Sequence, residues 1–223
     1  MVKNSKKEFY EKQGIYYKKN DLEAIIRYKK ILPWLELNNE KTIIEIGCKY
    51  AELRKMLIER GDQFIYKGID IDQHTLKKID NFNSRDFICS DVNKGIPLED
   101  NFADYIICME VLEHLDNATF FLEESKRILK KGGSIIISVP NTYSWNEMYR
   151  NLFRKKDTEG HIASFTYQNI QALVQFSRLK IIDEIGSFTR IPFSKKIFGN
   201  HILLKTNKLF LTRNKIYLIK KNN

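Results

Sequence analysis

The feature that most restricts the fold is a repeated alternation of short β-branched apolar runs with helical periods. Thr42-Ile43-Ile44-Glu45-Ile46 ends at Gly47, and the stretch Ala51 to Arg60 carries Leu53, Met56 and Leu57 at helical spacing. Phe64 to Asp70, Phe87-Ile88-Cys89, Tyr105 to Cys108 and Ser134 to Val139 read as further strands. Between them lie helical stretches at Asp72 to Asp80 and Ala118 to Lys130, the latter stopped by Lys131-Gly132-Gly133. Thr166 can cap a helix carrying Ile170, Leu173 and Val174, and Leu179 to Ile185 and Lys215 to Ile219 close the series as two late strands. Runs that are apolar throughout are strands covered on both faces. The alternation therefore predicts an α/β protein with a doubly wound parallel sheet. Ligands of such sheets bind beyond the carboxyl ends of the strands.

Composition sets the outer limits. At 223 residues with 43% hydrophobic and 30% charged side chains, the chain is expected to form one globular domain. Three cysteines are too few for a disulfide framework and point to a reducing compartment. No apolar run approaches the roughly 20 residues of a membrane span, and Met1 to Lys7 lacks a signal-peptide core. The expectation is a soluble cytoplasmic protein. The net charge of +10 favours an acidic partner. Most of the excess follows Glu184, the last acidic residue: Arg190, Lys195, Lys196, Lys205, Lys208, Arg213, Lys215, Lys220 and Lys221. This basic C-terminal segment, 189–223, offers a surface for nucleic acid, or forms a solvated edge.

The ends of the early strands carry the chemistry. Asp70 closes the second strand, where a carboxylate can accept two hydrogen bonds from a ribose diol. Asp91, after the third, can accept from the exocyclic amine of adenine. The turn at Gly47, leading into a helix, presents backbone N–H groups to an anion. Together they describe a nucleoside cofactor held without a phosphate-binding Walker loop.

Five segments in order, Glu45-Ile46-Gly47-Cys48, Gly68-Ile69-Asp70-Ile71-Asp72, Ser90-Asp91-Val92, Phe102 to Leu115 and Leu129 to Asn141, resemble class I S-adenosylmethionine-dependent methyltransferases. The resemblance covers residues 40 to 188. It implies a mostly parallel seven-stranded Rossmann-like sheet with S-adenosylmethionine over the first two strands. It places Glu45 and Gly47 by the methionine end, Asp70 on the ribose, Ile71 on adenine and Asp91 with Val92 at the adenine edge. Cys48, Lys49, Cys108 and Glu110 complete the expected cofactor wall. The family's first loop reads Gly-x-Gly-x-Gly. Here Lys49 and Ala51 replace the second and third glycines. Lys49 either pairs with the cofactor carboxylate or crowds it, and a catalytically silent binding module is the alternative reading.

Glu110, Glu113 and His114 follow the fourth strand at i, i+3 and i+4, so a helical turn opening at Glu110 would place all three on one face. With His161 they resemble the ubiquinone-biosynthesis O-methyltransferases and the small-RNA 3′-terminal ribose 2′-O-methyltransferases. That resemblance implies a magnesium-like ion binding vicinal oxygens of the acceptor. The metal-free alternative leaves His114 as a general base or as a packed side chain, with His161 as the second catalytic candidate. Residues 1–40 are expected to form a helical cover, its helix at Asp21 to Leu37, with Tyr16, Tyr17 and Tyr28 lining the cleft. The insert 141–165 is expected to lid the acceptor pocket. Its Tyr143, Trp145, Tyr149 and Phe153 form either the lid's core or, beside Arg154-Lys155-Lys156, a stacking surface. The expected activity is O-methylation of a small-molecule or glycan-like acceptor, with RNA ribose methylation as the alternative.

Overall fold

The computed structural model describes residues 5–13, 21–79, 82–191, 202–205 and 212–222. Tyr16, Tyr17, Lys195, Lys196 and Lys208 lie outside them. The strands are β1 (Thr42–Ile46), β2 (Ile65–Asp70), β3 (Phe87–Cys89), β4 (Ala103–Met109), β5 (Leu129–Pro140), β6 (Leu179–Gly186), β7 (Phe188–Arg190), β8 (Leu203–Lys205) and β9 (Asn214–Lys221). The helices are α1 (Ser5–Gln13), α2 (Leu22–Ile31), α3 (Glu52–Glu59), α4 (Gln73–Leu76), α5 (Ala118–Ile128), α6 (Trp145–Leu152) and α7 (Tyr167–Phe176). Seven strands form one sheet in the order β3-β2-β1-β4-β5-β9-β6. β1 to β5 run parallel, and β9 is antiparallel to both its neighbours. The strand order reverses at β1, so the ligand crevice falls between β1 and β4.

Alternation along each strand divides the core into two layers. On β1, Ile44 and Ile46 point toward Phe121, Leu122 and Ile128 of α5 and Ile170 and Val174 of α7. Ile43 points the other way, toward Tyr28 and Ile31 of α2 and Leu53 and Leu57 of α3. All four helices are amphipathic, and each fully buried aliphatic side chain is worth about 1.5–3 kcal/mol.

Several boundaries differ from the sequence expectation. Pro33 ends α2 early, in a 3-10 turn over Leu32–Trp34. The Lys-Gly-Gly stretch after α5 is an irregularity within β5, not a loop. Leu129 already pairs with Ala103, and the register shifts before Tyr105 meets Ser134. Gly133 is required there, because a Cβ would lie 2.8 Å from the Asp104 carbonyl oxygen. α1 and the β7–β8 pair were not signalled by hydrophobic period, and α6, which has that period, was expected only as part of the insert 141–165. α6 buries no residue, and β7 and β8 are three residues each.

Glu45 points away from the ligand crevice. It lies on the Ile43 side of β1, 1% exposed, where it accepts hydrogen bonds from the Tyr28 hydroxyl of α2 at 2.6 Å and the Tyr66 hydroxyl of β2. It thereby ties the N-terminal cover to two strands. Tyr28 is likewise buried in this layer, lining a smaller cavity on the α2 side of Gly47 and not the main crevice. Burial raises the Glu45 carboxyl from 4.5 to about 7, against the opposing pull of the two hydroxyls. The folded state thus holds a proton that the unfolded chain releases. This contribution to stability is complete below pH 4.5 and is lost as pH rises through 7. The stability of the protein minus that of Glu45→Gln, measured by urea melts, is expected to fall between pH 5 and pH 8 by up to about 3 kcal/mol. A pH-independent difference would contradict the assignment.

Candidate functional site

The turn after β1 is built from three left-handed residues. Gly47, Lys49 and Ala51 have φ of 70°, 47° and 54°. A Cβ on Gly47 would lie 2.4 Å from Val111 Cγ2, so only glycine fits where this turn meets the loop after β4. Lys49 and Ala51 adopt the conformation that the family's glycines would take. Left-handed backbone costs a residue with a Cβ about 1–2 kcal/mol, and the surrounding structure holds it nonetheless. Ala51→Gly is expected to raise stability by about 0.5–1 kcal/mol, the strain relieved less the extra freedom of an unfolded glycine, readable as a higher urea midpoint. A lower midpoint would show that Ala51 is unstrained.

Beyond the strand ends lies a cleft with about 760 Å³ of empty space, the part open to solvent included. Gly47 and Lys49 form its β1 wall, Asp70, Ile71 and Asp72 its β2 wall, Asp91 and Val92 its β3 wall, and Glu110, Val111 and His114 its β4 wall. Asp70 is buried. One oxygen accepts from Lys49 N and the other from Asp72 N, each at 2.9 Å. Burial raises its carboxyl above the ordinary value, countered by these two amides. Each oxygen keeps a lone pair for the cleft. Asp91 Oδ1 accepts from Asn93 N at 3.1 Å and Asn93 Nδ2 at 2.9 Å. Asp72 is structural: it caps α4 through His74 N and Thr75 N.

Two expected wall residues are absent from the cleft. Cys108 is fully buried beneath it. Cys48 is 2% exposed and packs on Gly68, where a Cβ would lie 2.7 Å from its Sγ. Cys48 instead borders the smaller cavity on the α2 side of Gly47, which Lys49 also lines and Arg27 shares. The Arg27 Nε is buried with no hydrogen-bond partner among the described residues. Packing first, and the Arg27 guanidinium next, lower the Lys49 ammonium, against the attraction of Asp70, Asp21 and Glu110. Its outer surface stays exposed. Two neighbouring cations beside a turn of backbone amides make this end of the cleft anion-binding. Arg27 gave no signal in the sequence, because only the fold brings α2 to this turn.

The four-ligand cluster does not form as expected. Glu110 has φ 55°, so it cannot open a helical turn, and the 3-10 turn covers only Leu112–His114. Its carboxylate faces Ser138 Oγ at 2.7 Å and Asn214 Nδ2. The ligand atoms of Glu113, His114 and His161 do come within 4.8 Å of one another. Glu113 is 1% exposed, and neither of its oxygens has a hydrogen-bond partner among the described residues. Burial and then Glu110 push its carboxyl well above the ordinary value. The His114 Nδ1 lies 3.2 Å from the Gly160 carbonyl oxygen. Burial lowers its pKa to about 4, so the ring is neutral near pH 7, Nδ1–H donates to that carbonyl and Nε2 keeps its lone pair. His161 lies behind His114, ring centroids 4.9 Å apart, with Nε2 3.9 Å from Glu113 and 3.5 Å from Glu159.

Within the expected cover 1–40, the sequence did not single out the helix that roofs the cleft. α1 contributes Lys6 and Tyr10 to its lining. Lys6 Nζ bonds the His114 carbonyl at 3.3 Å and pairs with Asp116. Tyr10 stands edge-on to His114 at 5.4 Å. The helix has little apolar periodicity, since its contacts are to a cleft rather than to a core.

Residues 44–137 match the methyltransferase domain family. Together with the sheet order, this makes the chain similar to class I S-adenosylmethionine-dependent methyltransferases. Its relatives include the ubiquinone biosynthesis O-methyltransferases of Nitrosomonas europaea, 27% identical over 50% of this chain and 48% of that one, and of Idiomarina loihiensis, 26% identical over 71% and 66%. The chain thus spans about half to two thirds of these curated relatives. A solved S-adenosylmethionine-dependent methyltransferase from Thermotoga maritima shares the fold with a TM-score of 0.69 and 15% identity, over 96% of this chain and 99% of that one. One from Aquifex aeolicus superposes with a TM-score of 0.63 at 15% identity, over 94% and 98%. Among the described residues, no helix is long and apolar enough to cross a membrane.

Charged hydrogen bonds contribute about 1.5–3 kcal/mol. Asp70→Ala is therefore expected to weaken S-adenosylhomocysteine binding about 10- to 150-fold in calorimetry. Unchanged affinity would remove Asp70 from the cofactor site.

Proposed function

We propose that the chain transfers the methyl group of S-adenosylmethionine to a hydroxyl of a small acceptor, one with two adjacent oxygens. In this reading Asp70 holds the ribose diol, Asp91 and Val92 the adenine edge, and Arg27 and Lys49 the methionine carboxylate beside Gly47. The observation that carries the acceptor chemistry is the neutral His114 ring on the cleft wall, its Nδ1 directed at the Gly160 carbonyl. Fixed in that tautomer, Nε2 can take the acceptor's proton as the methyl group moves, and alignment of the two reactants supplies much of the rate. The ubiquinone-biosynthesis relatives support oxygen as the methylated atom. Free Cys48, Cys89 and Cys108 suit the cytoplasm.

In a second arrangement, exclusive of the first, the unpartnered Glu113 carboxylate with His114 Nε2 and His161 would hold a divalent ion, Nε2 then serving as a ligand and not as the proton acceptor. One carboxylate and two imidazoles favour manganese, iron or zinc over magnesium. Such an ion would lower the pKa of an acceptor hydroxyl. RNA as acceptor draws less support. Of the tail's cations, Arg190 and Arg213 pair with Glu23, and Lys221 bonds the Leu129 carbonyl.

Labelled methyl transfer is to be measured to a 1,2-dihydroxybenzene acid, its monohydroxy counterpart and a primary amine. The diol is expected to be methylated, and His114→Ala to lower the rate about 10²-fold or more with S-adenosylhomocysteine affinity unchanged. Methylation of the amine alone, or full activity in His114→Ala, would overturn the reading. Activity unchanged by chelation would exclude the metal.

A further inference from the structure

Helix α6 is mounted with its polar side inward. Glu147 and Arg150 have side chains only 18% and 23% exposed, and Arg150 reaches Asp157 at 2.5 Å. Asp157 in turn accepts from Gly160 N and His161 N at 2.7 and 2.8 Å, so this face is fastened to the acceptor loop. The opposite face, at i, i+3, i+4 and i+7, consists of Trp145, Met148, Tyr149 and Leu152, which are 57%, 45%, 53% and 77% exposed. Phe153, 58% exposed, continues it, its ring 4.7 Å from that of Tyr149. None of these aromatics is the core of a lid. A helix that turns its apolar side to water marks a contact surface.

We propose that this face docks on an anionic lipid bilayer. Arg154, Lys155 and Lys156, all exposed, follow the apolar face without a break. Tryptophan and tyrosine rings settle at the headgroup level of a bilayer, aliphatic side chains enter the acyl boundary, and adjoining cations are drawn to anionic lipid. The chain's net charge of +10 acts in the same sense. Met148 and Leu152 give a nucleic acid nothing to pair with or stack on. The docked face lies one loop away from His161, which on the proposed function borders the acceptor site.

The full chain is to be sedimented with vesicles of phosphatidylcholine alone and of phosphatidylcholine with phosphatidylglycerol. Binding is expected to the anionic vesicles, with a blue shift of tryptophan emission that disappears in Trp145→Phe. Each lysine is worth about fivefold in affinity, so Lys155→Glu with Lys156→Glu should weaken binding about thirtyfold or more. Leu152→Asp should weaken it at least about tenfold. Unchanged S-adenosylhomocysteine binding in these variants shows that they are folded. The proposal is overturned by an absence of sedimentation with anionic vesicles, or by binding that survives Leu152→Asp. It is equally overturned by a dimer in ultracentrifugation that Leu152→Asp dissociates, since the face would then belong to a second copy.

Discussion

The site depends on one close approach, between the backbone of Gly47 and the Val111 side chain. It joins the loop after β1 to the loop after β4, the two strands flanking the point where the sheet order reverses. Every other wall is set from there. Gly47 N bonds the Ile69 carbonyl at 2.8 Å, which fixes the end of β2 and so Asp70. The Asp70 oxygens then fasten Lys49 N and Asp72 N. A cleft assembled from backbone contacts of this kind is already formed before a ligand enters, so little ordering cost falls on binding.

This explains how two glycines can be absent from a loop that usually has three. What the site requires is the left-handed backbone, not the residue that most easily supplies it. At Gly47 a neighbour excludes any Cβ. At Lys49 and Ala51 the backbone keeps the left-handed turn, and the strain is held by the Asp70 clamp and by packing of Ala51, 3% exposed. Lys49 adds a charge that glycine lacks, at the place where Arg27 already stands.

The strand ends were legible in the sequence because β-branched runs and their terminal acids are local signals. Asp70, Ile71, Asp91 and Val92 stand on the cleft wall where their positions implied. What failed was side-chain direction. Glu45 is two residues before Gly47, yet strand alternation turns it into the opposite layer, onto two tyrosines from distant segments. Glu110 has the spacing of a helical ligand but a left-handed φ, which detaches it from Glu113 and His114. Lys6, Tyr10 and Arg27 were illegible for a related reason. Lys6 and Tyr10 belong to a helix with little apolar period, and Arg27 to one whose period marks Ile26 and Ile31 but not the cation between them.

The backbone of Glu113 has a separate duty from its side chain. Its carbonyl accepts from Ile162 N at 3.0 Å and Ala163 N at 3.1 Å, which fixes where the insert after β5 returns to the sheet. Its departure point is fixed as well, by Asn141 N on the Arg213 carbonyl at 2.8 Å. Both anchors are main-chain bonds, indifferent to which side chains the segment between them carries. Residues 142–156, which precede Asp157, Gly160 and His161, can therefore be shortened, lengthened or exchanged while the strand ends keep their places, so the outer face of this insert can change without rebuilding the cleft.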